Sequence, residues 1–209
     1  MHRGLFVTGT DTGVGKTVVS AALALRFPFF SYWKPVQTGI EQDDDAAEVR
    51  RLAGCRVAEG IRLPRRVSPH LAARLSGTTI RVADLELPDG PPWIVEGAGG
   101  VLVPLNDTEL MIDLMGALGL PVVVVGRSSL GTINHTLLTL EALRARSLRV
   151  AGVVLAGEKS AENRTAIEQH GRVAALGELP WLEPLDSAHL AAWAAAELDP
   201  RGLLLEHFR

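Results

Sequence analysis

The feature that most constrains the fold of this chain is a glycine-rich loop near its start. The apolar run of residues 5–7 is followed by Gly-Thr-Asp-Thr-Gly-Val-Gly-Lys-Thr over residues 9–17, and a helical pattern continues to residue 26. In a strand, glycine-rich turn and helix of this kind, backbone N–H groups and the helix N-terminus converge on a phosphate. Thr10 stands where the common motif has glycine. The order of elements is retained, so the sequence predicts a nucleoside triphosphate site.

The last two residues of this loop carry the side chains that phosphate chemistry uses. Lys16 is expected to reach the β- and γ-phosphates, and the hydroxyl of Thr17 to hold Mg²⁺. Arginine is the usual cation of this chain, since only Lys16, Lys34 and Lys159 among its 21 basic residues are lysine. A lysine retained against that bias indicates a need for a compact, mobile ammonium group.

Length and composition predict a single nucleotide-binding domain over residues 1–209, with 47% hydrophobic residues available for a core. A net charge of −3 argues against nucleic acid as a partner. The one cysteine, Cys55, excludes an internal disulfide, and no His/Cys cluster has zinc-ligand spacing. The apolar runs are too short to cross a bilayer and no signal peptide is evident, so we expect a cytoplasmic protein without a membrane partner.

Strand and helix patterns alternate along the chain and predict a doubly wound α/β fold of the P-loop NTPase type. The strands are continuous apolar runs, which is typical of a mainly parallel sheet covered by helices on both faces. Residues 54–92 show only a short helical pattern at 69–75, and residues 186–198 predict a packing helix. Strands are expected at 5–7, 29–33, 93–95, 121–125, 150–155 and 173–176, and the other helices at 15–26, 45–53, 109–118, 132–146 and 161–170.

The predicted strand ends bring further charged residues to the phosphate loop, because ligands of such sheets bind beyond the carboxyl ends of the strands. Lys34 is expected to end the second strand, and Glu96 to follow the third as a ligand of Mg²⁺. Two ammonium groups and a metal ion at one site favour phosphoryl transfer. Of Asp43, Asp44 and Asp45, one is expected to cap a helix and at most one to bind metal; spacing does not decide which.

Five segments together resemble the dethiobiotin synthetase family. They are residues 9–17, 34–36, 95–100, 130–135 and 177–181, and they occur in the family's order. The resemblance implies an ATP-dependent ring closure in biotin synthesis, in which 7,8-diaminopelargonic acid takes up CO₂ as a carbamate, ATP phosphorylates the carbamate, and the second amine closes the ring. It also implies a homodimer, in which the loop at residues 130–134 of one subunit receives the carboxylate tail of substrate bound to the other.

The same resemblance assigns roles to individual residues. Lys16 and Lys34 would be catalytic, Lys16 acting on the γ-phosphate and Lys34 on carbamate and phosphate. Mg²⁺ would be held by Thr17, Asp45 and Glu96, and the substrate contacted by Thr38, Leu130, Gly131 and Asn134. The co-substrate ATP would be bound by Gly13, Val14, Gly15, Lys16, Thr17, Val18, Asp45, Glu96, Gly97, Ala98, Gly99, Pro180, Trp181 and Leu182.

One departure from the family concerns the nucleobase. Ala156 stands where many members have an asparagine that contacts adenine, so we expect weak discrimination between ATP and other triphosphates. The alternative function is a nucleotide switch of the chromosome-partition or cell-division type, which would need a membrane-binding tail or a basic DNA-binding patch. An amide-forming synthetase of the cobyrinate type would need a glutaminase nucleophile, for which Cys55 is the sole candidate.

Overall fold

A seven-stranded sheet forms the centre of the computed structural model, which describes residues 4–208. Every strand pairing is parallel, and the order is β3-β2-β4-β1-β5-β6-β7. The strands are β1 Gly4–Gly9, β2 Ser31–Thr38, β3 Val57–Leu63, β4 Trp93–Gly100, β5 Val122–Arg127, β6 Val150–Ala156 and β7 Ala175–Leu179. The helices are α1 Lys16–Arg26, α2 Asp45–Ala53, α3 Pro69–Leu75, α4 Met111–Leu118, α5 Thr132–Ala145, α6 Ala161–Gly171 and α7 Ser187–Glu197, with short 3-10 helices at Val82–Asp84 and Leu203–Phe208.

The central strands are buried on both faces, as their continuous apolar runs predict. In β1, Leu5 and Val7 belong to a core shared with α1, α2 and α7. Phe6 points to the opposite core, which contains residues of α3, α4, α5 and α6. Alternate side chains of a strand lie on opposite faces, so a strand between two helix layers needs apolar residues at every position. The predicted doubly wound α/β fold is confirmed.

The edge strand β3 is missing from the sequence prediction. It pairs only with β2, and it carries Glu59, Gly60 and Arg62 in place of an apolar run. Glu59 and Gly60 are exposed, whereas Leu63 is buried. An edge strand buries fewer side chains than a central one and can contain charges, so its sequence resembles that of a loop.

Strands β2 and β4 are also longer than the apolar patterns indicate, which changes the position of two site residues. Lys34 lies inside β2 and Glu96 inside β4, whereas the sequence placed Lys34 at the end of one strand and Glu96 just beyond the end of another. The pairing of β2 with β4 ends at Trp33, and β2 then continues to Thr38 beside β3 alone. Pro35 is tolerated in a strand that has lost one neighbour, because fewer backbone donors are required there. Similarly, β7 begins and ends later than predicted.

Gly60 lets the edge strand approach Pro35 closely, and its replacement should measurably weaken the sheet. A Cβ atom at Gly60 would lie 2.1 Å from the carbonyl oxygen of Pro35. We expect Gly60→Ala to lower the free energy of unfolding by about 1–3 kcal/mol in urea denaturation. Gly116, an exposed residue of α4 with open space around its Cα, is the control. Gly116→Ala should raise stability by about 0.5–1 kcal/mol; equal effects of the two variants would contradict the prediction.

The C-terminal helix α7 packs into the molecule. Its residues Leu190, Trp193 and Ala194 are buried in the core that also contains α1. The indole N–H of Trp193 donates to the carbonyl oxygen of Glu178 at 3.1 Å. The apolar face of this helix is therefore covered, as the packing-helix interpretation predicts. Over residues 4–208, no helix combines the length and hydropathy that a bilayer crossing requires.

Candidate nucleotide and metal site

The glycine-rich loop connects β1 to α1 and has the backbone of a phosphate cradle. Gly13 and Gly15 adopt left-handed conformations with φ of 69° and 95°, which side chains with a Cβ atom rarely adopt. Gly15 is the N-cap of α1 and provides no side-chain acceptor for the first N–H groups of the helix. Those donors and the positive end of the helix are thus available to an anion.

Lys16 begins α1 and folds back over the loop. Its ammonium group donates to the carbonyl oxygen of Asp11 at 2.9 Å, and only 7% of the residue is exposed. Burial lowers the pKa of Lys16 to about 8, although the charge of Glu96 acts in the opposite direction. A buried ammonium with little protein compensation interacts strongly with a phosphate placed beside it.

Lys34 lies between two carboxylates that come from different elements. Its Nζ atom is 2.6 Å from Asp45 Oδ2 and 2.7 Å from Glu96 Oε1, and it donates to the carbonyl oxygen of Gly97 at 3.2 Å. Burial lowers the pKa of Lys34, but attraction to Glu96 and Asp45 outweighs it, so the pKa is raised. Burial also raises the pKa of Asp45, but Lys34, together with Thr17 and Lys16, more than reverses this effect, so that pKa is lowered. The pKa shifts of both groups favour an ionised Lys34–Asp45 pair, and Glu96 Oε1 is a further acceptor of the Lys34 ammonium.

Thr17 completes this cluster from the first turn of α1. Its hydroxyl lies 2.8 Å from Asp45 Oδ1 and 3.2 Å from Glu96 Oε1. A hydroxyl and two carboxylates are hard oxygen donors of the type that Mg²⁺ prefers, and one or two carboxylates are usual when the ion also binds a triphosphate. Within residues 4–208, no group of three or more His, Cys, Asp or Glu residues could hold a metal ion on its own. The donor set therefore fits Mg²⁺ bound together with a nucleotide.

The three consecutive aspartates have separate roles in the structure. Asp44 is the N-cap of α2, since its Oδ1 atom accepts from the N–H of Ala47 at 2.9 Å. Asp43 is exposed and pairs with Arg66 at 3.0 Å. Asp45, the first residue of α2, is the one that reaches the cluster. The geometry thus distinguishes three residues that spacing alone left equivalent.

Two hydroxyl groups at this site escaped the sequence reasoning. Glu96 is fully buried, and its Oε2 atom accepts from Ser20 Oγ at 2.9 Å and from Tyr32 OH at 3.0 Å. Burial, together with the charge of Glu96, raises the pKa of Tyr32 well above its usual value, so the phenol stays protonated and donates. Ser20 follows Thr17 by three residues in α1, a spacing that places both on one helix face. That spacing was the one sequence signal that could have placed Ser20 at the site.

The substrate residues implied by the resemblance are at two locations. Thr38 ends β2 and is half-buried. Leu130, Gly131 and Asn134 lie at the start of α5 and are exposed, Leu130 completely. The structure therefore does not bring the α5 residues into the buried cluster of the same chain.

The glycines at the end of β4 bring that strand close to the phosphate loop. An added Cβ atom at Gly99 would lie 2.7 Å from Val103 and 3.5 Å from the hydroxyl of Thr12. Gly99 also has a φ of 69°. A larger residue at Gly99 would therefore be strained by its backbone conformation and would press on Val103, while its contact with Thr12 of the phosphate loop would be an ordinary one.

A cavity of about 410 Å³ adjoins the phosphate loop. It lies next to β5, β6 and β7, whereas β2, which contains Lys34, lies on the other side of β1 in the sheet. Trp181 lines the cavity and is 81% exposed. Sequence reasoning missed Arg127, which donates to the carbonyl oxygen of Thr12 at 3.0 Å from the end of β5. The cavity is lined by Gly13, Val14, Gly15, Val18, Arg127, Ser128, Ser129, Ala156, Gly157, Glu158, Leu179, Pro180, Trp181, Leu182 and Leu185.

Comparison with known proteins identifies a matching family model and several relatives of similar sequence. A family model described as an AAA domain matches residues 3–189. A protein of Rhodopseudomonas palustris named ATP-dependent dethiobiotin synthetase is 46% identical over 209 residues, covering 98% of each chain. A protein of the same name from Paramagnetospirillum magneticum is 51% identical over 192 residues, covering 90% of this chain and 93% of the relative.

Solved structures with much lower sequence identity share the fold. The cell division ATPase MinD of Pyrococcus furiosus has a TM-score of 0.59 at 16% identity, covering 93% of this chain and 89% of that one. A ParA family ATPase of Chlorobium tepidum has a TM-score of 0.55 at 12% identity, covering 92% and 98%. These similarities establish a common architecture with P-loop ATPases.

Proposed function

The chain belongs to the family of ATP-dependent dethiobiotin synthetases, ligases of biotin biosynthesis, and from this we propose the reaction and residue roles that follow. One amine of 7,8-diaminopelargonic acid takes up CO₂ as a carbamate. The γ-phosphoryl group of ATP is transferred to the carbamate oxygen, which gives a carbamic-phosphoric anhydride and ADP. The second amine attacks the carbonyl carbon and releases phosphate, and the ring of dethiobiotin closes. The observation that carries this proposal is the contact cluster of Thr17, Lys34, Asp45 and Glu96, with Lys16 near enough to interact electrostatically with its charged members.

The two lysines would act through charge. Lys16 would follow the γ-phosphoryl group during transfer, and Lys34 would neutralise charge on the carbamate and on the equatorial phosphoryl oxygens. Thr17, Asp45 and Glu96 would hold Mg²⁺, which supplies further positive charge to the phosphates when bound. The protein provides no covalent nucleophile in this scheme, because the substrate amines perform both attacks.

The exposed residues at the start of α5 support the homodimer proposal. Leu130, Gly131 and Asn134 would accept the carboxylate tail of substrate bound to a second copy of the chain. Gly131 is the N-cap of α5, and the first turn of that helix contains no acidic residue. A helix N-terminus of this composition is suited to bind an anion. Thr38 would contact the diamine or carbamate end of the same molecule.

The cavity beside the loop is the proposed nucleobase site, with Pro180, Trp181 and Leu182 flanking the base. Ala156 offers no amide to its edge, so we expect kcat/KM for GTP and CTP to lie within about tenfold of that for ATP. Steady-state assays with each triphosphate at saturating diamine and bicarbonate would measure this. The prediction fails if GTP and CTP are both more than about 100-fold poorer than ATP, because a base-specific contact of that strength would then exist.

The reaction is tested by comparing the complete mixture with mixtures that each lack one component. The protein is incubated with diaminopelargonic acid, bicarbonate, Mg²⁺ and ATP, and both dethiobiotin and phosphate are measured. We expect phosphate release only in the complete mixture and in equal amounts with dethiobiotin. ATP hydrolysis that requires neither diamine nor bicarbonate, and that DNA or lipid stimulates, would instead favour a nucleotide switch.

A further inference from the structure

The second oxygen of Glu96 is occupied by the protein itself. Its Oε2 atom accepts from both Ser20 and Tyr32, at 2.9 and 3.0 Å, and all three residues are fully buried. A carboxylate oxygen has two lone-pair positions in the plane of the group, and two donors therefore fill them. The opposite oxygen, Oε1, faces Thr17 and Lys34. Thr17 and Lys34 both belong to the proposed nucleotide and metal site, so Oε1 is the oxygen of Glu96 that faces a cation bound there.

The elements that carry these donors fix the carboxylate in this orientation. Thr17 and Ser20 lie one turn apart on α1, and each bonds a different oxygen of Glu96. Tyr32 lies beside Ile94 in the pairing of β2 with β4. Because Ile94 precedes Glu96 by two residues in β4, the side chains of these two residues lie on the same face of the sheet. Turning the carboxylate out of its observed plane would leave two buried hydroxyl groups without an acceptor, which costs free energy.

We propose that Ser20 and Tyr32 are positioning residues that restrict Glu96 to a single metal-binding oxygen and thereby select Mg²⁺ over Ca²⁺. This inference depends on the Mg²⁺ site of the proposed function. Mg²⁺ is small and octahedral and is satisfied by one oxygen from each carboxylate, whereas Ca²⁺ takes six to eight oxygens and often binds a carboxylate through both. The two hydroxyl groups withhold the oxygen that a larger ion would use.

The test compares how strongly each cation improves nucleotide binding. The dissociation constant of a non-hydrolysable ATP analogue is measured by calorimetry in Mg²⁺, in Ca²⁺ and in EDTA, for the wild type, Tyr32→Phe, Ser20→Ala and the double variant. Phenylalanine retains the buried ring, so Tyr32→Phe removes only the donor. For each cation, the gain in affinity is the dissociation constant in EDTA divided by that measured with the cation. We expect the ratio of the Ca²⁺ gain to the Mg²⁺ gain to be about tenfold higher in the double variant than in the wild type. Each single variant should give a smaller rise.

The EDTA reference and one further variant separate this effect from simple damage to the fold. Thr139→Val removes a buried hydroxyl two turns into α5, where it bonds the carbonyl oxygen of His135, and it should leave the cation ratio unchanged. An unchanged ratio in the double variant, or a wild type whose nucleotide affinity is insensitive to divalent cations, would overturn the inference. A wild type that binds nucleotide with this cation preference but forms no dethiobiotin would overturn the proposed reaction instead.

Discussion

Replacing Lys34 with alanine is expected to lower the rate of phosphate release by about 1,000-fold, because the variant removes a cation from the transferring phosphoryl group. Nucleotide affinity should stay within about threefold of the wild type, since Lys16 and the N–H groups of the loop remain. Single-turnover assays of phosphate release and calorimetric titration with ATP and Mg²⁺ would measure the two quantities separately.

The third lysine of the chain provides the control. Lys159 is about half exposed and pairs with Glu197 at 2.5 Å on the surface, so Lys159→Ala should change neither quantity. A Lys34→Ala variant that folds and retains the wild-type rate would exclude the proposed role of Lys34. Loss of nucleotide binding as well as of rate would instead mean that Lys34 supports the whole site, through Asp45 and Glu96.

Replacing Glu96 with alanine is expected to lower the free energy of unfolding by about 3–5 kcal/mol, because the variant leaves the buried ammonium of Lys34 with less compensation. Ser20 and Tyr32 would lose their acceptor in the same variant. Equilibrium unfolding in urea would measure the change. Glu96→Gln keeps an oxygen acceptor in the same place, so it should cost less stability while still impairing binding of Mg²⁺ with nucleotide.

A surface carboxylate serves as the comparison for stability. Glu59 pairs with Arg50 and Arg62 at the edge of the sheet, where these groups are at least 30% exposed. Glu59→Ala should therefore cost less than about 1 kcal/mol. If Glu96→Ala unfolded at the wild-type urea concentration, the buried ion cluster would not contribute to stability.

The parts of the molecule that could be predicted are those encoded by neighbouring residues. The phosphate loop occupies residues 9–17, and helix α2 was placed at its observed bounds because capping aspartates precede its apolar face. The central strands contain continuous apolar runs and were found, although their ends were misplaced. Edge strand β3 was missed, because an edge requires little burial and its charged residues resemble a loop.

The contacts within the candidate site depend on residues that are far apart in the chain. Ser20 and Tyr32 bond a carboxylate 76 and 64 positions away, and such contacts leave no local pattern in a single sequence. Asp45 could not be separated from Asp43 and Asp44 by spacing, and only the resemblance to a family selected it. Lys34 was linked to the phosphate loop through the general topology of parallel sheets, although its exact place within β2 was not predicted.

The position of β4 between β2 and β1 bears on when a growing chain could first hold a nucleotide. Lys16, Lys34 and Asp45 are all synthesised before β4, yet β2 and β1 meet only through that later strand. A ribosome-bound chain that stops before Trp93 thus lacks both Glu96 and the strand that joins the two halves of the site. Nucleotide binding during translation would therefore indicate that β4 has paired with both β2 and β1.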